Sequence, residues 1–171
     1  FVIENMTAIS SAVTGHVEEI YVKNGQELKK GDPILLVKPE KYDLEYKGIK
    51  AQYEQAKVGL SAISQQIQVT SANMQAAEEQ LNRMKYEYSQ KSAPDVGNGV
   101  PQIELKTLEF NIKSQQNVVL GLQRQIDLEK IELKKAQTGI ATLSAAVDKA
   151  AIDVSDTMVR APADGYIQNM Y

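Results

Sequence analysis

Two long stretches of the chain place apolar or small residues at alternating steps of three and four positions. The first stretch comprises Tyr46, Ile49, Tyr53, Ala56, Leu60, Ile63, Ile67, Thr70, Met74, Ala77, Leu81, Met84 and Tyr88. The second comprises Leu105, Leu108, Ile112, Gln115, Val119, Leu122, Ile126, Glu129, Leu133, Ala136, Ile140, Leu143, Val147, Ala150 and Val154, with only Gln115 and Glu129 breaking the pattern. A period of 3.5 residues keeps a narrow stripe on one side of a helix, as in coiled coils. The pattern therefore predicts two long helices that pack along these stripes, which we call the seam.

Residues that end helices separate the two stripes. Pro94, Gly97, Gly99 and Pro101 cluster between them, and such residues favour turns. We therefore expect the chain to reverse direction at a tip of about residues 90–102, so that the helices run antiparallel. Helices of about 45 residues would each be about 65–70 Å long at 1.5 Å per residue.

The two ends of the chain resemble each other. Thr14–Tyr21 aligns without gaps with Asp164–Tyr171, and in both copies a glycine precedes alternating apolar and polar residues that end in tyrosine. Each copy predicts a turn that leads into a half-buried strand. Two unrelated hairpins could produce the same pattern, but the matching glycines favour two halves of one pseudo-symmetric sheet. We expect residues near 20 and near 165 to lie together.

The first copy continues further than the second. Turn signals at Asn24–Gly25 and Lys30–Pro33 lead to the apolar run Ile34–Val37, whereas the second copy stops at Tyr171. We therefore expect the chain to be a truncated part of a larger module. The predicted fold class is α+β, a split β-sandwich interrupted by a long antiparallel two-helix coiled-coil hairpin. The predicted boundaries are 1–40 for the first half-sheet, 41–156 for the hairpin and 157–171 for the truncated second half.

Composition narrows the classes of function. With 43% apolar and 24% charged residues, the chain falls within the soluble range. The net charge is −3 with both signs interspersed, so the sequence lacks the basic stripe that binds nucleic acid. Nothing in it approaches the roughly 18 apolar residues of a membrane span.

The side chains offer little for catalysis or metal binding. The sequence has no cysteine and one histidine, so His16 lacks the further Cys or His ligands of a typical zinc site. The carboxylates fall mostly on the flanks of the helices, and a two-helix rod provides no cleft for a paired-carboxylate site. We therefore expect no enzyme activity, no cofactor and no metal. Glu129 in the seam could set the register or mark a flexible point, but a partially exposed position is the simpler interpretation.

The outer faces of the helices are rich in amides. They carry Gln52, Gln55, Gln65, Gln66, Gln68, Gln75 and Gln80. A solvated surface explains this composition, and lateral packing against neighbouring hairpins in a ring is the alternative.

The order of half-sheet, long hairpin and half-sheet resembles the membrane fusion proteins, or periplasmic adaptors, of haemolysin secretion and multidrug efflux. Thr14–Val17 and Val22–Leu35 are similar to the first half-lipoyl motif of that family, and Val159–Ile167, with its Ala-Pro and Gly, is similar to the second. The resemblance implies that the split sandwich is lipoyl-like. Lipoyl carrier domains bear a modified lysine where the hairpin stands here. Lys38 and Lys41 are near that point, but a helix start does not suit a swinging arm.

The resemblance also implies a function. The chain would belong to an adaptor that forms homo-oligomeric rings and bridges an inner-membrane transporter of the major-facilitator, ABC or resistance-nodulation class to a TolC-like outer-membrane channel. It would lie in the periplasm, with an anchor and a membrane-proximal β-barrel outside this chain. A structural coiled-coil spacer without a role in export is the alternative.

The tip departs from the family pattern. That pattern places an arginine near the end of the first helix, a leucine four residues later and a serine or threonine about seven further on. Arg83 could be the arginine, but Glu87 and Pro94 stand at the other two places. The candidate partner-binding residues at the tip are Arg83, Ser89, Lys91, Ser92, Asp95 and Asn98.

Overall fold

The protein combines two long helices with short antiparallel strands from both ends of the chain, which confirms the predicted α+β class. The structure is a computed structural model that describes residues 7–93 and 101–168. The elements are β1 (Val17–Ile20), β2 (Glu27–Leu28), β3 (Pro33–Val37), α1 (Glu40–Lys91), α2 (Gln102–Ser155), β4 (Met158–Arg160) and β5 (Gly165–Tyr166). Several residues used in the sequence analysis lie outside the described part, namely Pro94, Asp95, Gly97, Asn98, Gly99 and the last three residues of the repeat.

The chain divides into two compact units, residues 1–55 with 140–171 and residues 56–139. The first unit contains both sheets. In one of them, β3 lies between β1 and β4 and is antiparallel to both, with Ile20 opposite Leu35 and Leu36 opposite Met158. The other sheet pairs β2 with β5. Each sheet therefore joins a strand from before the helices to one from after them.

The two ends of the chain meet as the repeat predicted. Val22 and Ala161 share one buried cluster and Ile167 packs against it, so residues near 20 and near 165 lie together. The backbones of Gly25 and Gln26 also bond to that of Ile167, at 2.6 and 3.0 Å. Within the sheets, Gly165 is paired with Leu28, and Ile20 with Leu35.

A small apolar core is formed by residues from both ends of the chain. Val22, Leu28, Ile34 and Ala161 are buried, and the partly buried Leu35 and Ile167 pack against them. The cluster draws on both ends of the chain. Because burying one such aliphatic side chain contributes about 1.5–3 kcal/mol, neither end alone would retain this core.

Two turn glycines have the left-handed backbone that favours glycine. Gly25 has φ 81° and Gly31 has φ 97°, so the turns at Asn24–Gly25 and Lys30–Pro33 form as predicted. The repeat glycines Gly15 and Gly165 do not share this conformation among the described residues. Gly15 instead lies against β3, where an added Cβ would stand 2.6 Å from Cγ1 of Val37.

The helices follow the predicted seam. α1 has 52 residues and α2 has 54, and every seam residue named from the sequence is buried or half-buried, while most of their neighbours are exposed. Thr70 is 2% and Ile126 is 3% exposed. The period of 3.5 residues is therefore confirmed on both helices. No helix in the described ranges is long and apolar enough to cross a membrane.

Side-chain contacts in the second unit establish the direction of the helices. The Thr70 hydroxyl lies 3.0 Å from a carboxylate oxygen of Glu129, and the Tyr88 hydroxyl donates to Glu109 at 2.6 Å. Residue numbers thus rise along α1 as they fall along α2. The helices are antiparallel, as predicted.

Candidate functional site

The candidate site comprises the tip-proximal helix ends, which we define as residues 83–93 at the end of α1 and 101–110 at the start of α2. Lys91 joins the two helices here. Its Nζ lies 2.6 Å from Oε1 of Glu104 on α2 and 2.9 Å from Oε1 of Glu87 on its own helix. The hydrogen bond to Glu104, with that to Glu87, raises the pKa of Lys91 above its ordinary value.

A second cross-helix bond lies one turn further from the tip. The Tyr88 hydroxyl donates to Glu109, and this bond raises the pKa of Tyr88. Lys91 and Tyr88 together hold the ends of α1 and α2 side by side. The Lys91 cation predicted to meet a partner is therefore shared with two carboxylates of its own chain.

The structure places the other predicted tip residues differently. Arg83 is exposed on α1, next to the seam residue Met84. Ser89 donates through Oγ to the carbonyl of Tyr86 at 2.7 Å, and Ser92 lies 3.4 Å from the carbonyl of Ser89. The Ser92 hydroxyl thus reaches a carbonyl of the last turn of α1, where carbonyls lack partners within the helix, whereas the Ser89 bond lies within the helix. Asp95 and Asn98 lie outside the described residues, so partner binding by this set stays a prediction.

Exposed apolar side chains that were not predicted from the sequence lie at the same helix ends. Tyr86 is 68%, Ile103 is 77% and Phe110 is 73% exposed. Ile103 and Phe110 are seven residues apart and so lie on one side of α2, away from the seam. In the sequence, both are large apolar residues outside the seam, and they are one heptad apart. This spacing is the signal that could have identified them. Among the described residues, Tyr86, Ile103 and Phe110 are the exposed large apolar side chains of the tip-proximal helix ends.

Polar residues interrupt the seam at two levels. Oε1 of Glu129 accepts the Thr70 hydroxyl at 3.0 Å and the Gln125 amide at 3.1 Å, whereas Oε2 is buried without a hydrogen-bond partner. Gln115 donates to the carbonyl of Ala77 at 3.1 Å. The Glu129 side chain is half-buried, yet its carboxylate belongs to a polar layer between the helices. The predicted partly exposed position is therefore confirmed, and its cross-helix contacts were not predicted.

The second half-motif clasps a turn of the first. Asp164 accepts the backbone N–H of Lys30 at 2.7 Å, and Arg160 donates to the carbonyl of Gly31 at 3.0 Å. The backbone of Ala161 exchanges bonds with Gly31 and Asp32 at 2.8 and 2.9 Å. Four contacts thus fix one turn to the far end of the sequence. We call this set the turn clasp.

The start of α1 is tied to the first half-motif. The Tyr42 hydroxyl donates to the carbonyl of Thr14 at 2.8 Å and accepts its N–H at 3.1 Å. Lys38 pairs with Glu40 at 2.9 Å, which raises the pKa of Lys38, and Nζ of Lys41 lies 5.7 Å from the centre of the Tyr42 ring. These contacts join the strand segment to the helix that follows it. No group of three His, Cys, Asp or Glu suited to a metal occurs in the described ranges.

Comparison with known proteins finds structural similarity without a matching family. No protein-family model matches the chain. The periplasmic adaptor protein EmrA is 16% identical with a TM-score of 0.47, and the match covers 95% of this chain and 65% of EmrA. The soluble domain of LipC, a membrane fusion protein of a type I secretion system, is 12% identical with a TM-score of 0.46, over 93% and 90% of the two chains.

A further match is a putative efflux transporter from Bacteroides eggerthii. It is 18% identical with a TM-score of 0.45, and the match covers 95% of this chain and 33% of the transporter chain. The chain thus spans slightly less than two thirds of the length of EmrA. It spans about one third of the length of the transporter chain.

Proposed function

We propose that this chain is the lipoyl-like and hairpin portion of a periplasmic adaptor, which bridges an inner-membrane transporter and a TolC-like outer-membrane channel. One observation carries the proposal. The two ends, which bear the half-lipoyl motifs, pair in both sheets and share one core. The long helical pair is therefore an insertion within a single lipoyl-like module, and this is the arrangement of the family that the motifs resemble.

The proposed role is mechanical, and no side chain has to perform chemistry. The turn clasp and the shared core fix the two ends, while Lys91 and Tyr88 hold the tip-proximal helix ends together. The exposed side chains of Arg83, Tyr86 and Phe110 thus stand on helix ends that are already fixed, which lowers the entropy cost of binding.

Each copy of the chain would bind the channel weakly through its tip-proximal helix ends. Only a few exposed side chains are available at the tip-proximal helix ends. If several copies form a ring, the contacts act together and binding becomes much stronger than for one copy. We therefore propose that the adaptor works as a homo-oligomeric ring in the periplasm, anchored to the inner membrane by a segment outside this chain. Major-facilitator, ABC and resistance-nodulation transporters are all compatible partners.

Site-specific crosslinking in cells tests this function. The chain has no native cysteine, so single cysteines at Arg83, Tyr86 and Ser92 can be labelled without background. Cysteines at the exposed Gln65 and Glu132, away from the tip, are the matched controls. The proposal predicts a discrete adduct with an outer-membrane channel from the tip positions alone, which disappears in cells that lack the channel.

Either of two results would reject channel docking. One is the absence of any adduct from the tip positions at normal expression. The other is equal adduct yield from the tip and control positions. A spacer without a role in export would then account for the molecule better.

A further inference from the structure

Four glycines occupy interior positions of the described helices, Gly48 and Gly59 in α1 and Gly121 and Gly139 in α2. None has a positive φ, and a Cβ added at any of them would meet no atom within 4 Å. Packing within the chain therefore does not require glycine at these places. Each one nevertheless weakens its helix by about 0.5–1 kcal/mol relative to alanine.

Two of these glycines lie at the same level of the hairpin. The bond between Thr70 and Glu129 gives a common reference point. Gly59 comes eleven residues before Thr70 and Gly139 ten residues after Glu129. At 1.5 Å per residue, Gly59 and Gly139 are about 16 and 15 Å along the helices from the level of Thr70 and Glu129. Both lie on the same side of that level, because the helices are antiparallel. Gly48 and Gly121 have no glycine opposite them.

The residues around both glycines also favour the helix weakly. Val58 precedes Gly59 and, after Leu60, Ser61 follows it, while Thr138 and Ile140 flank Gly139. β-branched residues and serine lie below alanine and leucine in helix propensity. Helices kink preferentially where glycine and serine occur together.

One hydrogen bond at this level also weakens the helix. The Thr138 hydroxyl donates to the carbonyl of Lys134, one turn earlier, at 3.0 Å. A side-chain bond of this kind competes with the backbone ladder and often bends a helix. Glycine, weak helix formers and this bond thus coincide at one level.

We propose that the level of Gly59 and Gly139 is a bending joint of the hairpin. In a pair of packed helices, a weak point in one helix is supported by the intact helix beside it. Here both helices are weakened at one level, so neither supports the other there. Thermal bending concentrates at the joint, and the hairpin on its tip side moves as a stiffer body. The joint does not depend on the proposed adaptor function.

Distance distributions between spin labels test the joint. The first pair of labels, on cysteines at Gln52 and Ala72, spans Gly59, and the second pair, at Gln65 and Lys85, does not. All four positions are exposed, and each pair is twenty residues apart on α1. The proposal predicts a distribution at least about 1.5-fold wider for the first pair. The double variant Gly59→Ala/Gly139→Ala should narrow it to the width of the second pair.

The control is the double variant Gly48→Ala/Gly121→Ala, which removes the same number of glycines from the same helices at unmatched levels. It should leave the width of the first pair unchanged. Equal widths for the two pairs in the wild-type chain would overturn the proposal. Equal narrowing by the control would do the same, because general helix stiffening would then explain the effect.

Discussion

Gly15 and Gly165 hold the same place in the internal repeat, but the structure requires glycine only at the first. Val37, against which Gly15 packs, is 2% exposed and cannot move aside freely. We expect Gly15→Ala to lower the free energy of unfolding by about 1–3 kcal/mol, as overpacking typically does. Urea denaturation followed by circular dichroism measures this change.

The matched control is Gly165→Ala, because a Cβ at that position meets nothing within 4 Å. It should change stability by less than about 0.5 kcal/mol. Adding Val37→Ala to Gly15→Ala should recover part of the lost free energy of unfolding, since the shorter side chain at position 37 leaves space for the new Cβ at position 15. Equal destabilisation by Gly15→Ala and Gly165→Ala would contradict the assigned contact.

Glu129 places a carboxylate in the seam with one oxygen unsatisfied. Replacing a buried charged group by an apolar one of similar size is often stabilising. We expect Glu129→Leu to raise the free energy of unfolding by about 1 kcal/mol, since the single proton of the Thr70 hydroxyl then goes to the carbonyl of Gln66, 3.1 Å away. The exposed Glu132 is the control, and Glu132→Leu should have little effect. A loss of stability in Glu129→Leu would mean that the polar layer contributes net stability.

At the scale of elements, the helices could be predicted from the sequence almost completely. The seam from Tyr46 to Val154 is correct residue by residue, because a buried stripe on a long helix imposes a fixed period. The contacts of Glu129 and Gln115 could not be predicted in the same way. Periodicity identifies the face of a residue but not the atoms on the partner helix that it meets.

The strands were predictable in kind, but β1 and β5 are exposed rather than half-buried as the repeat predicted. Turn residues such as Gly25 and Gly31 punctuate the first half-motif and locate β2 and β3. The strand partner of Gly165 could not be predicted, because β2 and β5 have two residues each, too few for their pattern to define a register. At the candidate site, sequence identified Lys91 but not its two carboxylate partners, and it missed Tyr86 and Phe110 because both lie off the seam.

The ion pairs of Lys91 predict a specific dependence on pH. The pKa of Lys91 is raised above its ordinary 10.5, so its contribution to stability is fully present below pH 10.5 and is lost only as the pH rises through the higher folded value. Lys91→Met should therefore lower the denaturation midpoint, and its difference from wild type should stay constant between pH 7 and pH 9. The exposed Lys85 provides the control variant Lys85→Met. A difference that closes by pH 9 would contradict the raised pKa.

At the scale of the whole molecule, the account requires that the ends of the chain stay paired. Glu27 and Tyr166 are opposite each other in the β2–β5 ladder. Antiparallel neighbours have Cα atoms about 4.5–5.5 Å apart, within the range of a disulfide. The variant Glu27→Cys/Tyr166→Cys should oxidise readily in the folded state and raise the denaturation midpoint. The pair Glu27→Cys/Gln168→Cys, two residues out of register, should oxidise much more slowly.

The central claim is that this chain belongs to an adaptor between two membranes, and the most direct test is the composition of its native complex. The protein would be expressed from its own gene, crosslinked in its own cells and purified, and its partners identified by mass spectrometry. We predict one inner-membrane transporter and one outer-membrane channel. The double variant Tyr86→Ala/Phe110→Ala should lose the channel and retain the transporter, whereas Ile152→Ala, which alters another exposed apolar residue of α2, should retain both. Purification of the wild-type protein at normal expression with neither partner would contradict the account.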